Sequence, residues 1–387
     1  MSGDALTQRR RGAERGSWPR MRLGDVCEIN MGQSPESSTY NTSAEGLPFY
    51  QGNADFGTIH PTPRVWCNAP VKIAKAGDLL VSVRAPIGAL NFANEMCCIG
   101  RGLAALSALP NAEYGFLYYA LKSKVAELNA KGTGSTFKAI NKRALSQLSI
   151  PLPPLVEQRR IASKLNRLCH IVTERRAQLV QLQQLVKSRF VEMFGDGKYP
   201  EKFLADVSTK ITDGTHKTPK YLSTGVRFIS AKNIIDGHID LTNTKFISED
   251  EYQEIQRRCN LELGDVLLTK SGSLGAVAIV DRQERLGLFE SLAVIKAKRE
   301  LVDVCYLKYA IDSPAVQHQF KQGVKGIAIR HLHLNVIART RIPLPPLALQ
   351  REFATFVAKV DKLAFAARQR RDIAQKLYRA KMQEFFG

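Results

Sequence analysis

The sequence predicts a mixed α/β protein. Two globular α/β domains are separated by two long antiparallel coiled-coil helices, the whole forming a pseudo-two-fold internal repeat. Three observations predict this. The segment IPLPPL occurs twice, at residues 150–155 and 342–347, and the ten-residue frames IPLPPLVEQR and IPLPPLALQR agree at eight positions. A heptad-like spacing of apolar residues follows each copy. Short β-rich apolar runs, opened by Gly-Asp turns, fill the chain ahead of each copy.

Residues 1–17 carry Arg9, Arg10, Arg11 and Arg15 with little apolar content, which predicts a disordered basic tail. The first globular domain is expected over 18–149. It starts WPRMRLGDV, and the second, over 199–341, starts YPEKFLADV. Inside them GDLLVSVRAPIGAL (77–90) corresponds to GDVLLTKSGSLGAV (264–277), and FLYYALKS (116–123) to YLKYAIDS (306–313). A glycine-rich stretch closes each, GTGSTFKAI at 132–140 and GVKGIAIRHL at 323–332.

Proline fixes φ and drives its predecessor into extended conformations, so alternating Pro and Leu makes a stiff corner. Pro154 and Pro346 fall where a helix tolerates proline, in its first turn. Helices are therefore expected over 154–195 and 346–386, within helical regions 150–198 and 342–387. The first seam runs Ile161, Leu165, Leu168, Val172, Leu179, Leu182, Val186 and Met193, interrupted by Arg175 and Arg189. The second runs Phe353, Val357, Val360, Ala364, Ala367, Arg371, Ala374, Tyr378 and Phe385. At 1.5 Å per residue, roughly 40 residues make a rod about 60 Å long. A helix of that length needs a partner in water, and the alanine-rich second seam suits close packing against the first.

A net charge of +20, from 56 Lys+Arg against 36 Asp+Glu, favours a polyanionic partner. There is no signal peptide and no apolar run near membrane-spanning length, so no membrane is expected. Seven cysteines without a CxxC pair read as reduced thiols of a cytoplasmic protein. A phosphate-loop GxxxxGK[ST], an HExxH helix, a Gly-x-Ser-x-Gly elbow and the tetrapeptide of amino-methyltransferases are all missing, so no catalytic centre is expected. His331 and His333 lack a third ligand at metal spacing, so no metal is expected.

The repeated IPLPPL…QR segments with their long helices, alternating with two dissimilar domains, resemble the specificity (S) subunit of type I restriction–modification systems. The resemblance covers nearly everything from Trp18 onward. The first domain is similar to one common target-recognition type through GQSPESSTYN (32–41), QGNADFG (51–57), SVRAPIG (82–88), GRGLAAL (100–106) and GTGSTFK (132–138). The second, with DGTHKTPKY (213–221) and KSGSLGAV (270–277), is similar to another type. The resemblance implies that each target-recognition domain reads one half of a split site in double-stranded DNA. It implies that the helices dock two methyltransferase (M) subunits, which carry S-adenosylmethionine and methylate adenine, and that a restriction (R) subunit uses ATP. No cofactor is then expected in this chain.

Base edges are matched by Arg for guanine and Asn or Gln for adenine, with Ser and Thr filling in. In the first domain the candidates are Gln33, Ser34, Gln51, Asn53, Arg84 and Arg101, with Lys138 for a phosphate or, alternatively, merely part of a flexible turn. In the second they are Thr215, His216, Lys217, Lys232, Asn233, Lys270, Ser271, Lys325 and Arg330. All lie in or beside glycine-rich turns, where a scaffold presents functional loops. Two other readings stay open from the residues alone: a scaffold that binds nucleic acid without sequence choice, and a restriction-enzyme fragment with its own catalytic centre.

Overall fold

The structure is a computed structural model and describes residues 18–133, 138–195, 197–323 and 331–387. The expected basic tail, Lys325 and Arg330 lie outside the described residues. The chain forms two compact units, Met1–Arg175 with Arg370–Gly387, and Arg176–Gln369. The unit boundaries thus fall inside both long helices rather than at their ends.

Each unit is built on one antiparallel four-stranded sheet, and the two sheets share one strand order. In the first unit Cys27–Met31 and Leu79–Ser82 flank Leu103–Ala108, and Leu90–Phe92 follows on the outside. In the second Ser208–Asp213 and Val266–Thr269 flank Leu292–Ala297, with Val277–Ile279 outside. The continuous apolar runs LLV and VLL read as buried strands because both of their faces are covered, and Leu79, Leu80, Val81, Val266, Leu267 and Leu268 have no exposed surface. A second sheet lies in each unit, and each contains one parallel pair: Leu47–Tyr50 with Cys97–Ile99, and Val226–Ile229 with Leu286–Leu288. Helices Tyr114–Ser123 and Val304–Asp312 add to the core of their units, each started by an acidic side chain, Glu113 or Asp303, that accepts backbone N–H groups of the first turn.

The repeated motif works as a joint. Arg20–Arg22 pairs antiparallel with Ser149–Pro151, and Glu201–Phe203 with Arg341–Pro343, so the first residues of each domain hydrogen-bond to its last. The helices then run Leu155–Phe194 and Leu347–Phe386, and the carbonyls of Pro154 and Pro346 accept their first bonds. Gln158 and Gln350, the glutamines of the motif, have no exposed surface. Gln158 accepts from Glu113 N at 2.9 Å and donates to Asn111 O and Pro153 O. Gln350 accepts from Asp303 N at 2.8 Å and donates to Leu301 O and Pro345 O. Each glutamine latches a helix start to the turn before the domain helix. Gln158→Ala leaves a part-buried N–H and two carbonyls short of a partner, and the expected loss is about 1–3 kcal/mol, measurable by denaturant unfolding. A change within error would mean that water replaces the amide.

Each unit also takes in a piece of the other long helix. In the second unit Phe190 and Phe194 lie 5.5 and 5.7 Å from Phe353, and Phe194 meets Tyr306 at 4.9 Å. Val186, earlier on its helix, shares this core with Val357 and Val360, later on theirs. The two helices therefore run antiparallel. In the first unit Ile161 and Leu165 share a core with Phe385 and Phe386, Trp18 stacks on Phe385 at 6.2 Å, and Phe116 meets Phe386 at 5.3 Å. The predicted seams are the buried ones at these ends, whereas Val172, Leu179 and Leu182 in the middle of the first are half-exposed. No helix among the described residues is long and apolar enough to cross a membrane, and all seven cysteines are free thiols.

Candidate nucleic-acid interface

In the first domain the quoted glycine motifs converge because their backbones touch. Gly32 donates to Leu103 O, Gln33 to Ile99 O, Gly100 to Tyr50 O, Gly102 to Gln51 O and Val83 to Gly102 O. A Cβ on Gly32 would sit 2.2 Å from Gly100 O, and one on Gly102 would sit 2.2 Å from Gln51 O. Only glycine permits that approach. The result is a shallow cavity of about 170 Å³ lined by Ser34, Gln51, Asn53, Arg84 and Arg101. Five candidates scattered over some seventy positions of sequence thus meet at one place.

Support for this cavity comes from underneath. Asp55 accepts from Gln51 N at 2.8 Å and Gly52 N at 3.3 Å and pairs with Arg64 at 2.5 Å, fixing the Gln51–Asn53 turn. The buried Ser82 hydroxyl donates toward the carbonyls of Arg84 and Pro86, both at 2.8 Å, and so shapes the loop that carries Arg84. Arg84 bridges Ala139, and Ala85 N donates to Lys138 O at 3.2 Å, which brings Lys138 beside the same rim. Arg84, Arg101 and Lys138 are exposed, and among the described residues neither arginine has a carboxylate partner. Gln33 is also exposed, one residue outside the cavity lining.

The second domain carries the equivalent loops with different chemistry. Gly214 approaches Leu288 O as closely as Gly32 approaches Gly100 O, and Thr215 N donates to Leu288 O at 2.9 Å. A cleft of about 690 Å³ is lined by Asp213, His216, Arg258, Lys270, His331, His333 and Asn335, among others. Asp213 is buried at its base and accepts from Lys270 Nζ at 2.5 Å and Arg258 Nη2 at 2.6 Å, with His216 Nε2 at 3.2 Å. Burial pushes the Asp213 pKa up, but the hydrogen bonds and charges of Lys270 and Arg258 outweigh this and hold the carboxyl below its usual range. Burial, with Lys270 next, lowers the His331 pKa, which favours the neutral ring. The His331 and His333 rings lie edge to face at 5.2 Å, and among the described residues no cluster of three or more potential ligands is placed to hold a metal.

Two sequence expectations need correcting here. Lys270 does not present its ammonium outward: its side chain is 2% exposed and spent on Asp213. Asn233 is also buried; it accepts from Ser230 N at 3.0 Å and donates to Asp240 O at 3.0 Å, the turn-fixing work that Asp55 does in the first domain. Thr215 is half-buried, its hydroxyl accepting from Lys217 N; His216, Lys217 and Lys232 are exposed and Ser271 is half-buried. The sequence reading missed Arg258, which stands on helix Glu249–Cys259 and reaches Asp213 across 45 positions of chain. It also missed Glu290, 3.5 Å from His216 Nδ1.

A family model described as type I restriction modification DNA specificity domain matches residues 16–182 and again 198–375. The chain is 40% identical over 184 residues to a putative type I restriction enzyme MjaX specificity subunit of Methanocaldococcus jannaschii, covering 47% of this chain and 43% of that protein. It is 24% identical over 389 residues to the type I restriction enzyme EcoBI specificity subunit of Escherichia coli, covering 90% of this chain and 79% of that one. Thus the match spans under half of the first relative and most of the second. The crystal structure of a type I restriction–modification system S subunit from M. genitalium has the same fold, with a TM-score of 0.64, 16% identity, and 97% and 98% of the two chains covered.

Proposed function

The chain belongs to the type I restriction modification DNA specificity family, and from that premise we propose that it reads a split, asymmetric site in double-stranded DNA, one half-site per target-recognition domain. It is a non-catalytic subunit. Its helices dock two methyltransferase subunits that methylate adenine using S-adenosylmethionine, and restriction subunits that use ATP join them in the cytoplasm. The observation that carries this reading is the gathering of Ser34, Gln51, Asn53, Arg84 and Arg101 at one cavity, where arginines with no carboxylate partner among the described residues share the lining with amides suited to adenine edges. The second domain, on the same sheet topology, places His216 and Arg258 at the corresponding end, which supports two unlike half-sites. Exposed apolar side chains along the helices, among them Val180, Leu363, Phe365 and Ile373, support docking of partners.

The test is to express the chain with its methyltransferase subunit in a host lacking both and to map methylated adenines genome-wide. A motif of two unlike halves around a fixed gap, absent without this chain, is the expected result. Exchanging only residues 199–341 for another second domain should then change one half and leave the other; a change in both halves would overturn the modular reading. Arg84→Ala should weaken discrimination at one base of the first half by about 1–3 kcal/mol. Unchanged binding and methylation would remove Arg84 from the contacts.

A further inference from the structure

We infer that Asp213 is a positioning residue and that the Arg258 it holds, flanked by His216, reads a guanine in the second domain's half-site. This rests on the DNA-reading function proposed above and names the base and the residues involved.

Away from the bulge between Ser208 and Lys210, the two sheets can be superposed position by position from their registers. Ala104 pairs with both Met31 and Val81, and Ala293 pairs with both Asp213 and Leu268. Asp213 therefore stands where the first domain has Met31. Val83 N donates to Gly102 O and Lys270 N to Ser291 O; Ile140 N donates to Val83 O and Leu332 N to Lys270 O. Lys270 therefore stands where the first domain has Val83. An apolar pair serves the scaffold of the first domain, and a buried ion pair occupies the same two positions in the second.

Burying two charges carries a large desolvation cost that well-packed apolar side chains avoid. The first domain shows that this fold does not require the pair. The pair's additional consequence is what it gathers. Arg258 is tethered twice, by Nη2 to the Asp213 carboxylate at 2.6 Å and by Nε to the Asp213 carbonyl at 3.3 Å. His216 lies between the carboxylates of Asp213 and Glu290 at 3.2 and 3.5 Å. Asp213 and Lys270 are each 2% exposed, whereas Arg258 is 48% and His216 55% exposed, and both line the open cleft. Lys270 neutralises the buried carboxylate, and the other two are left to the open cleft. Helix Glu249–Cys259, which delivers Arg258, has no counterpart among the described residues between the equivalent strands of the first domain. A guanidinium fixed on one edge keeps its other N–H groups for the O6 and N7 acceptors of guanine, and its fork lowers the entropy lost per bond.

The decisive variant is the double substitution Asp213→Met with Lys270→Val, which installs the first domain's own pair. Its methylated sites, mapped with the full chain and its methyltransferase subunit, should keep the base ranking of the first half. In the second half, preference for guanine at one position should fall roughly ten- to hundredfold. Arg258→Lys, which keeps the charge and loses the fork, should relax the same position and no other. An unchanged ranking in the double variant and in Arg258→Lys overturns the inference, as does a uniform loss over all sequences, which a purely structural pair would give. Should the double variant not fold, Arg258→Lys alone decides. A wild-type chain that ranks no bases in its second half would instead overturn the DNA-reading function itself.

Discussion

Phe353→Ala is expected to remove about 3–5 kcal/mol of stability. Phe353 has no exposed surface and sits in the second turn of the second long helix, within 5.4–5.7 Å ring-to-ring of Phe190, Phe194 and Tyr309. It thus ties its own helix to two other elements, the end of the first helix and the domain helix Val304–Asp312. Truncation loses the transfer free energy of the ring and leaves a void between rigid helices that cannot collapse to fill it. Denaturant unfolding should show the loss, and Phe353→Leu should recover much of it. A loss below about 1 kcal/mol would mean that this aromatic knot does not close the unit.

Asp213→Ala is expected to cost a similar amount, about 3–5 kcal/mol, because it leaves the Lys270 ammonium buried without its counter-charge. The contrast with the paired replacement is the informative part: removing both charges should cost far less than removing one. The pH dependence has a defined sign. Asp213 is held below the usual carboxylate range, so its contribution is present at neutral pH and is lost as pH falls through that depressed value. The stability difference between the wild type and the paired replacement should therefore drift toward the latter only in strong acid. A single Asp213→Ala variant as stable as the wild type would show that Lys270 escapes to solvent.

Much of this architecture is legible in the sequence because it is written in local chemistry. Pro and Leu alternation marks the joint, apolar spacing marks the helices, and Gly-Asp turns mark the central strands. The strand order and the parallel pairs are not legible, since pairing joins residues far apart in the chain. The glutamine of the repeated motif was visible, but its role as a latch depends on partners such as Asn111 and Leu301, some fifty positions away. In the first domain, base-matching residue types beside glycine were a sufficient signal for the cavity, because the glycines themselves force the loops together. In the second domain the same rule failed at Lys270. Nothing local distinguishes a lysine that points outward after a strand from one drawn inward by an aspartate 57 positions away. Arg258 had no local signal at all, being one of two adjacent arginines on a strongly charged helix.

The burial of Phe385 and Phe386 in the core of the first unit has a consequence for synthesis on the ribosome. Domains generally fold as units while the chain emerges, at about 5–20 residues per second. The first domain is complete in sequence by Ser149–Pro151, yet Arg176–Gln369 must be made before Arg370–Gly387 can join it. That is a delay of about 10–40 s at those rates, during which Trp18 and Phe116 lack their aromatic partners. Over that interval the nascent chain presents an apolar seat that a chaperone can shield, and that the same segment of a neighbouring nascent chain can occupy instead.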